Sequence, residues 1–417
     1  MGIELTRRAL LSGSVAALGC SKRTRPRDAI VLKHQPLWGD PEPFRQMLQR
    51  FEHASGVRVI TEQLPSTSDV VHQYFLTSLE SRAADFDVFA IDVVWVAEFA
   101  RAGWIADLSS AFPPDGLRRE LFEGIADAAI VEGRTYAIPW YADVGVLYRR
   151  VDLAPDAPRR YDDLARAIER VRARDASIAG WLWQGKQYEG LVCNAYEAIW
   201  GHGGAQTEGG RLVIDTDAAR SGLAYLRRTI ERGLSPRRVL SAAEEESRRA
   251  FQNGRAVFMR NWPYAWAEMQ GEGSPVAGKI AISTLPTERG DPGSGALGGW
   301  FLALNARTPE HRRAGALALV KWLTSVDADL EMAVAYARTP PRIAPYDDAR
   351  LRARAPFIAS LAPMVRTARP RPVTPWYARL TDVLQSEMSA AVAGVRSPEE
   401  ALSRAQALAD RIIGGRG

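Results

Sequence analysis

The chain has 417 residues, of which 46% are apolar and 25% are charged, a balance that excludes an intrinsically disordered protein and allows two or more domains. The net charge of +5 permits a polyanionic partner, but the arginines are scattered among acidic residues, as in RRYDDLARAIERVRARD. We therefore expect no nucleic-acid partner.

An export signal is indicated at the amino terminus. Arg7 and Arg8 precede an apolar stretch over residues 9–18, which is too short to span a bilayer as a helix. The arginine pair resembles that of a twin-arginine signal, so the route of export stays open. We expect residues 1–19 to be removed as a signal peptide.

A lipid attachment site is indicated at the end of this stretch. The segment ALGC resembles a lipobox, in which the lipid is attached to the cysteine, here Cys20. The polar residues that follow are typical of a tether, which we place at residues 20–28. We therefore expect a lipoprotein outside the cytoplasm, in the periplasm or on the cell surface. Cys193 is the other cysteine of the chain, so no disulfide framework is expected.

The first part of the chain alternates between strand and helix patterns. A strand pattern over residues 29–38 is followed by a helix pattern over residues 41–56, which ends at Gly56. The alternation continues through VRVITEQL, SDVVHQYFLTSLESRA, FDVFAIDV and VAEFARAGW to a strand within TYAIPWYADVGVLYRR. This order predicts an α/β sheet layered by helices, whose ligands bind beyond the carboxyl ends of strands.

The middle and the end of the chain are richer in helices. Helix patterns occur in YDDLARAIERVRA, YEGLVCNAYEAIWGHGG, DAARSGLAYLRRTIERG and SAAEEESRRAFQNG, before a strand pattern in RAVFMRNW. From residue 298 onward, GGWFLALNA predicts one more strand, and the remaining patterns predict helices.

Two carboxylates stand where such a sheet binds its ligands. Asp92 ends the strand DVFAI, although an aspartate there is also an ordinary cap of the next helix. Asp143 interrupts the apolar run IPWYADVGVLY, where a carboxylate needs a partner or water. Glycoside hydrolases use a pair of carboxylates, so a secreted glycosidase using Asp92 and Asp143 stays open.

Aromatic rings are concentrated in the segment RNWPYAW, at the end of a predicted strand. Rings of this kind stack on the apolar face of a sugar, while carboxylates and amides bind its hydroxyl groups. The combination therefore indicates a carbohydrate ligand. The aromatic candidates are Trp38, Trp140, Tyr141, Trp262, Tyr264 and Trp300.

Three other patterns give no site. Gly293-Ser-Gly295-Ala-Leu-Gly298 has the spacing of a dinucleotide-binding turn, but it follows a loop and precedes a strand. The segment GWLWQGKQ lacks the hydroxyl that a phosphate-binding loop places after its lysine. The five histidines show no metal-ligand spacing, so we expect neither metal nor cofactor.

Six segments together resemble a known family. They occur in order between about residue 30 and the end of the chain, and they closely resemble segments of the family 1 extracellular solute-binding proteins of ABC importers. Within that family they are most similar to the trehalose- and maltose-type binding proteins. The segments are FDVFAIDVVWVAEFARAGWIADLS, YAIPWYADVGVLYRRVDL, WQGKQYEGLVC, FQNGRAVFMRNWPYAWA, GGWFLAL and RPVTPWYARLTDVLQ.

The resemblance implies an α/β protein with the two-lobed type II periplasmic-binding-protein fold. Each lobe is built from discontinuous stretches, a hinge joins the lobes, and the ligand binds in the cleft between them. We expect lobe 1 to contain residues 29–140 and 294–338, and lobe 2 to contain residues 141–293 and 339–417.

The resemblance also implies which residues bind the sugar. Asp92 and Asp143 bind its hydroxyl groups, and Tyr141 lies beside it. Trp262 and Tyr264 stack on its apolar face, which explains the aromatic concentration in RNWPYAW.

Further positions follow from the same resemblance. Gly299 and Trp300 close the other side of the sugar, and Arg371 binds adjacent hydroxyl groups, with Arg369 as the alternative. Glu42 is a candidate by approximate position, and an acid in the first turn of a helix is its other interpretation.

The function implied is that of a receptor without catalytic activity. A di- or oligosaccharide is captured by hinge closure and delivered to the transmembrane subunits of an ABC permease, and we expect the receptor to be a monomer. Two segments depart from the family pattern, HQPLWGDPEPF with Trp38 and ARTPPRIAPYDD with Arg342, which leaves the sugar specificity open.

Overall fold

The structure, a computed structural model, describes residues 27–81, 85–205, 207–208 and 211–415. The predicted signal peptide, Cys20 and most of the predicted tether lie outside these ranges. None of the helices in the described part of the chain has the length and apolarity needed to cross a membrane.

Two larger sheets and two short ladders contain the strands of the described residues. The strands are β1 (Ile30–His34), β2 (Val59–Gln63), β3 (Val88–Asp92), β4 (Ile130–Val131), β5 (Arg134–Thr135), β6 (Ala137–Val144), β7 (Val146–Arg150), β8 (Ala179–Leu182), β9 (Thr207–Glu208), β10 (Arg211–Leu212), β11 (Ala256–Asn261), β12 (Ile280–Ser283) and β13 (Leu297–Leu304).

Helices surround both sheets. They are α1 (Glu42–Ser55), α2 (Ser68–Glu80), α3 (Val96–Arg101), α4 (Pro114–Glu120), α5 (Glu123–Ala129), α6 (Tyr161–Arg172), α7 (Glu189–Gly201), α8 (Asp217–Glu231), α9 (Glu244–Gln252), α10 (Ala265–Gln270), α11 (Glu310–Leu323), α12 (Val326–Tyr336), α13 (Ala344–Asp347), α14 (Ala349–Arg354), α15 (Pro356–Ala359), α16 (Ala362–Arg366), α17 (Tyr377–Val392) and α18 (Pro398–Gly414). Two 3₁₀ helices cover Val93–Trp95 and Arg237–Ser241.

The first sheet has the strand order β2-β1-β3-β13-β6. β1 runs parallel to β2 and β3, whereas β13 runs antiparallel to β3 and β6. Every residue of β1, β3 and β6 is buried. Helices therefore cover this sheet on both faces, as the apolar runs predict.

The second sheet has the strand order β12-β7-β11-β8. β11 runs antiparallel to β7 and parallel to β8, and β12 runs antiparallel to β7. The fully buried β11 ends at Asn261, directly before the aromatic residues of RNWPYAW. The strand predicted there is thus confirmed.

Most predicted elements are confirmed in chain order, but the run within TYAIPWYADVGVLYRR forms two strands rather than one. β6 belongs to the first sheet and β7 to the second, and the break lies at Gly145 rather than at Asp143. A Cβ atom at Gly145 would lie 1.9 Å from Glu197 Oε1, so a larger residue here would displace the carboxylate that pairs with Arg260.

Three segments pass between the sheets, around Gly145, Gly295 and Arg369, and they lie side by side. Gly145 donates its amide hydrogen to the carbonyl of Ala296 at 3.2 Å, and Arg369 donates to the carbonyl of Gly295 at 3.0 Å. Leu297 donates in turn to the carbonyl of Arg369 at 2.8 Å. These hydrogen bonds make one compact hinge region from residues distant in sequence.

The strand pairing changes where we place the lobe boundaries. The predicted boundary between residues 140 and 141 falls inside β6, because that strand pairs with β13 up to Val144. After residue 339, Ile343 still bonds the Glu120 carbonyl of α4 at 2.9 Å, on the side of the first sheet. We therefore propose that lobe 1 extends to residue 144 and includes residues 339–366.

Candidate functional site

Four of the predicted ligand-binding residues share one face of the first sheet. Asp92 on β3 pairs with Trp300 on β13, which also pairs with Tyr141 on β6. Directly opposed residues of antiparallel strands point to the same face, as do residues two apart along a strand, which adds Asp143 to the group. The four side chains therefore project from the same face of the sheet.

Asp143 is a buried carboxylate with an unused hydrogen-bonding capacity. Its Oδ1 atom is buried and has no hydrogen-bond partner among the described residues. Burial raises the pKa of Asp143 to about 6; the positive charges of Arg338 and Arg260 oppose this, and Asp92 adds to it. The group is therefore placed to accept a hydrogen bond from a ligand, and its charge is poorly solvated without one.

Asp92 is connected to a buried ionic network. It caps the 3₁₀ helix that follows β3 by accepting a hydrogen bond from Val94 N at 3.3 Å, and it accepts another from Ser68 Oγ at 3.1 Å. Arg371 Nη2 lies 3.7 Å from Asp92 Oδ1, and Arg371 Nη1 pairs with Glu189. Asp92 therefore caps a helix, as one interpretation predicted. Its role as a ligand-binding carboxylate stays a prediction.

Arg371 links the crossing segment around Arg369 to β13 of the first sheet and to helix α7. Its Nη2 atom donates to the carbonyl of Leu297 on β13 at 3.2 Å, while its partner Glu189 begins α7. Glu189 also accepts a hydrogen bond from Tyr377 at 2.6 Å and one from Thr381. Arg371 Nε is buried and has no partner among the described residues.

Trp262 comes from the second sheet and reaches the first. A Cβ atom built at Gly298 would lie 3.2 Å from the Trp262 ring and 3.5 Å from Asp143 Cβ. Gly299 has a φ of 128°, and a Cβ there would lie 2.4 Å from the Tyr141 carbonyl oxygen. Gly298 therefore leaves room for the Trp262 ring beside Asp143, and Gly299 allows the close approach of the β6 backbone.

The Trp262 ring is held in place from its own lobe. The guanidinium carbon of Arg260 lies 4.0 Å from a Trp262 ring centroid, and the indole Nε1 donates to Glu244 at 3.3 Å. Arg260 is fully buried, and its Nε donates to Glu197 at 2.8 Å. A cation–π contact and a hydrogen bond thus fix the ring plane before any ligand arrives.

Two other predicted residues, Tyr264 and Glu42, form hydrogen bonds with nearby helical residues. The Tyr264 hydroxyl donates to Glu245 of α9 at 2.9 Å. Glu42 is partly exposed in the first turn of α1, where it accepts hydrogen bonds from Arg45 and from Gln46 at 2.8 Å. These contacts match the alternative interpretation of Glu42, and its role toward a ligand stays a prediction.

Arg338 is a site residue that the sequence analysis missed. It follows the left-handed Ala337, at φ 51°, which ends α12. Its guanidinium carbon lies 4.6 Å from the Tyr141 ring centroid, and its Nη2 donates to the carbonyl of Leu37 at 2.9 Å. No local pattern marks this arginine, since its partners are 197 and 301 residues away in the sequence.

The assembled residues offer carboxylates, a buried arginine and aromatic rings on surfaces from both sheets. Such a site can bind hydroxyl groups and the apolar face between them. No group of three or more His, Cys, Asp or Glu side chains within the described ranges could hold a metal ion.

Comparisons with known sequences identify the family. The family described as bacterial extracellular solute-binding protein matches residues 36–329. A probable ABC transporter-binding protein from Deinococcus radiodurans is 33% identical over 376 residues, which cover 86% of this chain and 88% of the relative. The mannitol-binding protein of Pseudomonas aeruginosa is 26% identical over 375 residues, which cover 81% of this chain and 83% of the relative.

Solved structures confirm the predicted two-lobed periplasmic-binding-protein fold. Maltose-bound T. maritima MalE3 is similar with a TM-score of 0.83 and 34% identity, over 91% of this chain and 99% of that protein. The GacH receptor of Streptomyces glaucescens, solved unliganded and with acarbose, shares the fold with a TM-score of 0.80 and 18% identity, over 93% and 100% of the two chains. The chain belongs to the bacterial extracellular solute-binding protein family and is the solute-binding component of an ABC transporter.

Proposed function

We propose that this receptor binds a di- or oligosaccharide of the trehalose or maltose type. The observation that carries the proposal is the buried Asp143, whose Oδ1 atom has no partner and which lies beside the Trp262 ring across Gly298. A sugar hydroxyl satisfies such a carboxylate while the neighbouring C–H face of the sugar stacks on the indole.

The similarity to a maltose-bound protein at 34% identity supports a sugar ligand. The relative that binds mannitol supports the wider class of neutral polyhydroxylated compounds. Asp92 and Arg371 add a charged pair that can accept from and donate to adjacent hydroxyl groups. Tyr141 and Trp300 complete the wall on the side of the first sheet.

We place the receptor outside the cytoplasm as a membrane-anchored monomer. Residues 1–19 act as the export signal, and lipid on Cys20 holds the receptor near its permease. Closure of the two lobes around the sugar then presents the closed form to the permease subunits. If Cys20→Ser still fractionates with membranes after export, the lipid anchor is wrong.

The glycosidase alternative predicts turnover, which this proposal does not. Asp92 and Asp143 lie on strands with β13 between them, and Asp92 is engaged by Arg371 and by Val94. The contacts of Asp92 therefore give it a structural role, and the proposed hydrogen bond to a sugar hydroxyl accounts for Asp143 without a catalytic step. Detection of glucose after long incubation of maltose or trehalose with the purified protein would instead support an enzyme.

The first test is a thermal-shift screen of residues 21–417 against trehalose, maltose, sucrose, longer glucans, mannitol and monosaccharides. A ligand that binds only the folded state raises Tm by mass action, so at least one sugar should raise it. Trp262→Ala should abolish the shift because it removes the stacking surface. No shift with any of these compounds would overturn the proposed ligand class.

A matched variant separates ligand binding from folding. Trp322→Ala removes a partly buried indole of α11 that packs on Phe51, with ring centroids 5.9 Å apart. This variant is expected to lower Tm without ligand but to keep the ligand-induced shift. Equal loss of the shift in both variants would show that the Trp262 result reports folding.

A further inference from the structure

Trp38 is an exposed aromatic residue in a strained conformation. Its side chain is 41% exposed, and it is the one aromatic residue among the exposed large hydrophobic residues of the described ranges. Its φ of 59° lies in the left-handed region, which bulky residues rarely adopt. Such strain persists where the surrounding structure holds it, and it is concentrated at ligand sites.

The Trp38 cavity, named here for this residue, lies at the carboxyl ends of β1 and β2 beside the start of α1. Its volume is about 560 Å³, within the range of small-molecule sites. The lining residues that carry the argument are Trp38, His34, Gln63, Ser66 and Tyr336.

The lining of the Trp38 cavity is uncharged and combines apolar residues with a few polar ones. Its lining includes no Asp, Glu, Lys or Arg. His34 Nδ1 bonds the carbonyl of Gln35 at 2.7 Å, and burial lowers the pKa of His34, so the neutral ring keeps Nε2 as an acceptor. The Tyr336 hydroxyl accepts the Phe44 amide hydrogen at 2.9 Å and retains its own hydrogen for donation. Neutral donors and acceptors beside a flat ring suit a sugar rather than an ion.

Two loops connect the Trp38 cavity with the Asp92 and Asp143 site. Arg338 donates to Leu37 O at 2.9 Å in the first loop, and its guanidinium stacks on Tyr141 at 4.6 Å. In the second loop, Ser66 lines the cavity, and Ser68 bonds Asp92 at 3.1 Å. Two residues of chain span at most about 7 Å, so the two sites are close neighbours.

We infer that the Trp38 cavity is an additional subsite that stacks one more sugar ring on the Trp38 indole. The ligand is then an oligosaccharide with one end at Asp143 and Trp262 and an extension toward Trp38. This inference rests on the proposed sugar-binding function. The segment HQPLWGDPEPF, which contains Trp38 and departs from the family pattern, then helps to select the length of the ligand.

The test is a calorimetric titration of residues 21–417 with maltose, maltotriose and maltotetraose. In the wild type, affinity should increase at one step of chain length, where the added ring reaches Trp38. Trp38→Ala should lose that increase, about 3- to 10-fold, and should keep the affinity for the shorter sugar. Trp38→Phe is the matched control, because it keeps an aromatic face and should retain most of the increase.

Each other outcome overturns the subsite. If the wild type binds maltose but gains nothing from longer sugars, the cavity takes no ring. If Trp38→Ala weakens all three sugars equally, Trp38 belongs to the main site or acts through the fold. If the wild type binds none of the three and no sugar in the thermal-shift screen, the proposed function itself fails.

Discussion

Asp143 shows how one buried residue can couple ligand binding to pH. Its pKa of about 6 in the folded chain compares with an ordinary value of 3.8, and desolvation is the main cause. Between these values the folded state holds a proton that the unfolded state has released. The contribution of Asp143 to the stability of the unliganded protein therefore falls as pH rises from about 4 to 6, because the carboxyl ionises freely in the unfolded state but not in its buried site.

Ligand binding should show the opposite trend. A hydroxyl group donates most strongly to the ionised carboxylate, so sugar affinity should increase as pH rises through about 6. Asp143→Asn should weaken binding at pH 7.5 and should remove most of this increase. The measurement is calorimetric affinity at pH 5, 6 and 7.5 for both proteins.

A surface variant serves as the control. Asp107 is largely exposed and accepts a hydrogen bond from Ser109 N at 2.8 Å, away from the site. Asp107→Asn should keep the pH dependence of the wild type. If Asp143→Asn keeps it as well, another group, such as Asp69 with its pKa raised to about 6 by burial, controls the titration.

At the scale of elements, the hinge region depends on close approach of backbones. A Cβ at Gly295 would lie 2.1 Å from the carbonyl oxygen of Gly145, and one at Gly145 would meet the Glu197 carboxylate. Glu197 pairs with the buried Arg260 and also accepts the Ala296 amide hydrogen at 2.9 Å. The buried Glu197–Arg260 ion pair thus contacts the crossing segments at Gly145 and Ala296 and, through Arg260, the Trp262 ring.

Gly295→Ala should therefore be strongly destabilising. The added methyl collides with backbone rather than with a mobile side chain, so we expect a loss of about 2 kcal/mol or more in the free energy of unfolding. Gly116→Ala in α4 is the control, because its Cβ would meet nothing within 4 Å. The free energies of unfolding of the two variants are measured by urea denaturation. Equal values for both variants would contradict the close approach of the crossing segments.

At the scale of the whole molecule, a helix that follows the second sheet contacts a helix of the 339–366 segment outside the hinge. Trp266 of α10, which follows β11 of the second sheet, stacks on Phe357 of α15. The ring centroids are 4.1 Å apart, and the planes differ by 8°. Because we propose that α15 belongs to lobe 1, we predict that this stack joins the two lobes in the closed form. Trp266 is partly buried and packs against the hydrophobic core.

Phe357→Ala should favour the open form. Loss of a stacked pair costs about 0.5–1.5 kcal/mol, so sugar affinity should fall about 2- to 10-fold although no ligand contact is removed. Phe112→Ala, which removes another partly buried ring, should leave affinity unchanged. Small-angle scattering on the unliganded variants should show a larger radius of gyration for Phe357→Ala than for Phe112→Ala. Equal radii together with equal sugar affinities would exclude a role of Phe357 in closure.

Local patterns were sufficient for much of the fold and for the family. The helix that ends at Gly56, the strand before RNWPYAW and the strand in GGWFLALNA are confirmed, because apolar periodicity and glycine stops act within a few residues. The same patterns missed Arg338 and Glu189. Glu189 meets Arg371 across 182 residues of sequence, and such ion pairing leaves no local signal.

The sequence did not predict β8 or β12 of the second sheet. By itself, it determined most of the other strands and helices, the family, and the residue types at the candidate site. These follow from side-chain periodicity and from short motifs, both of which are properties of neighbouring residues. Only the tertiary structure decided that the chain changes sheet at Gly145, that Asp143 lies between Arg338 and Trp262, and that Trp38 borders a cavity. Strand register, burial and charge neutralisation are set by residues that meet only after folding, so no local pattern specifies them.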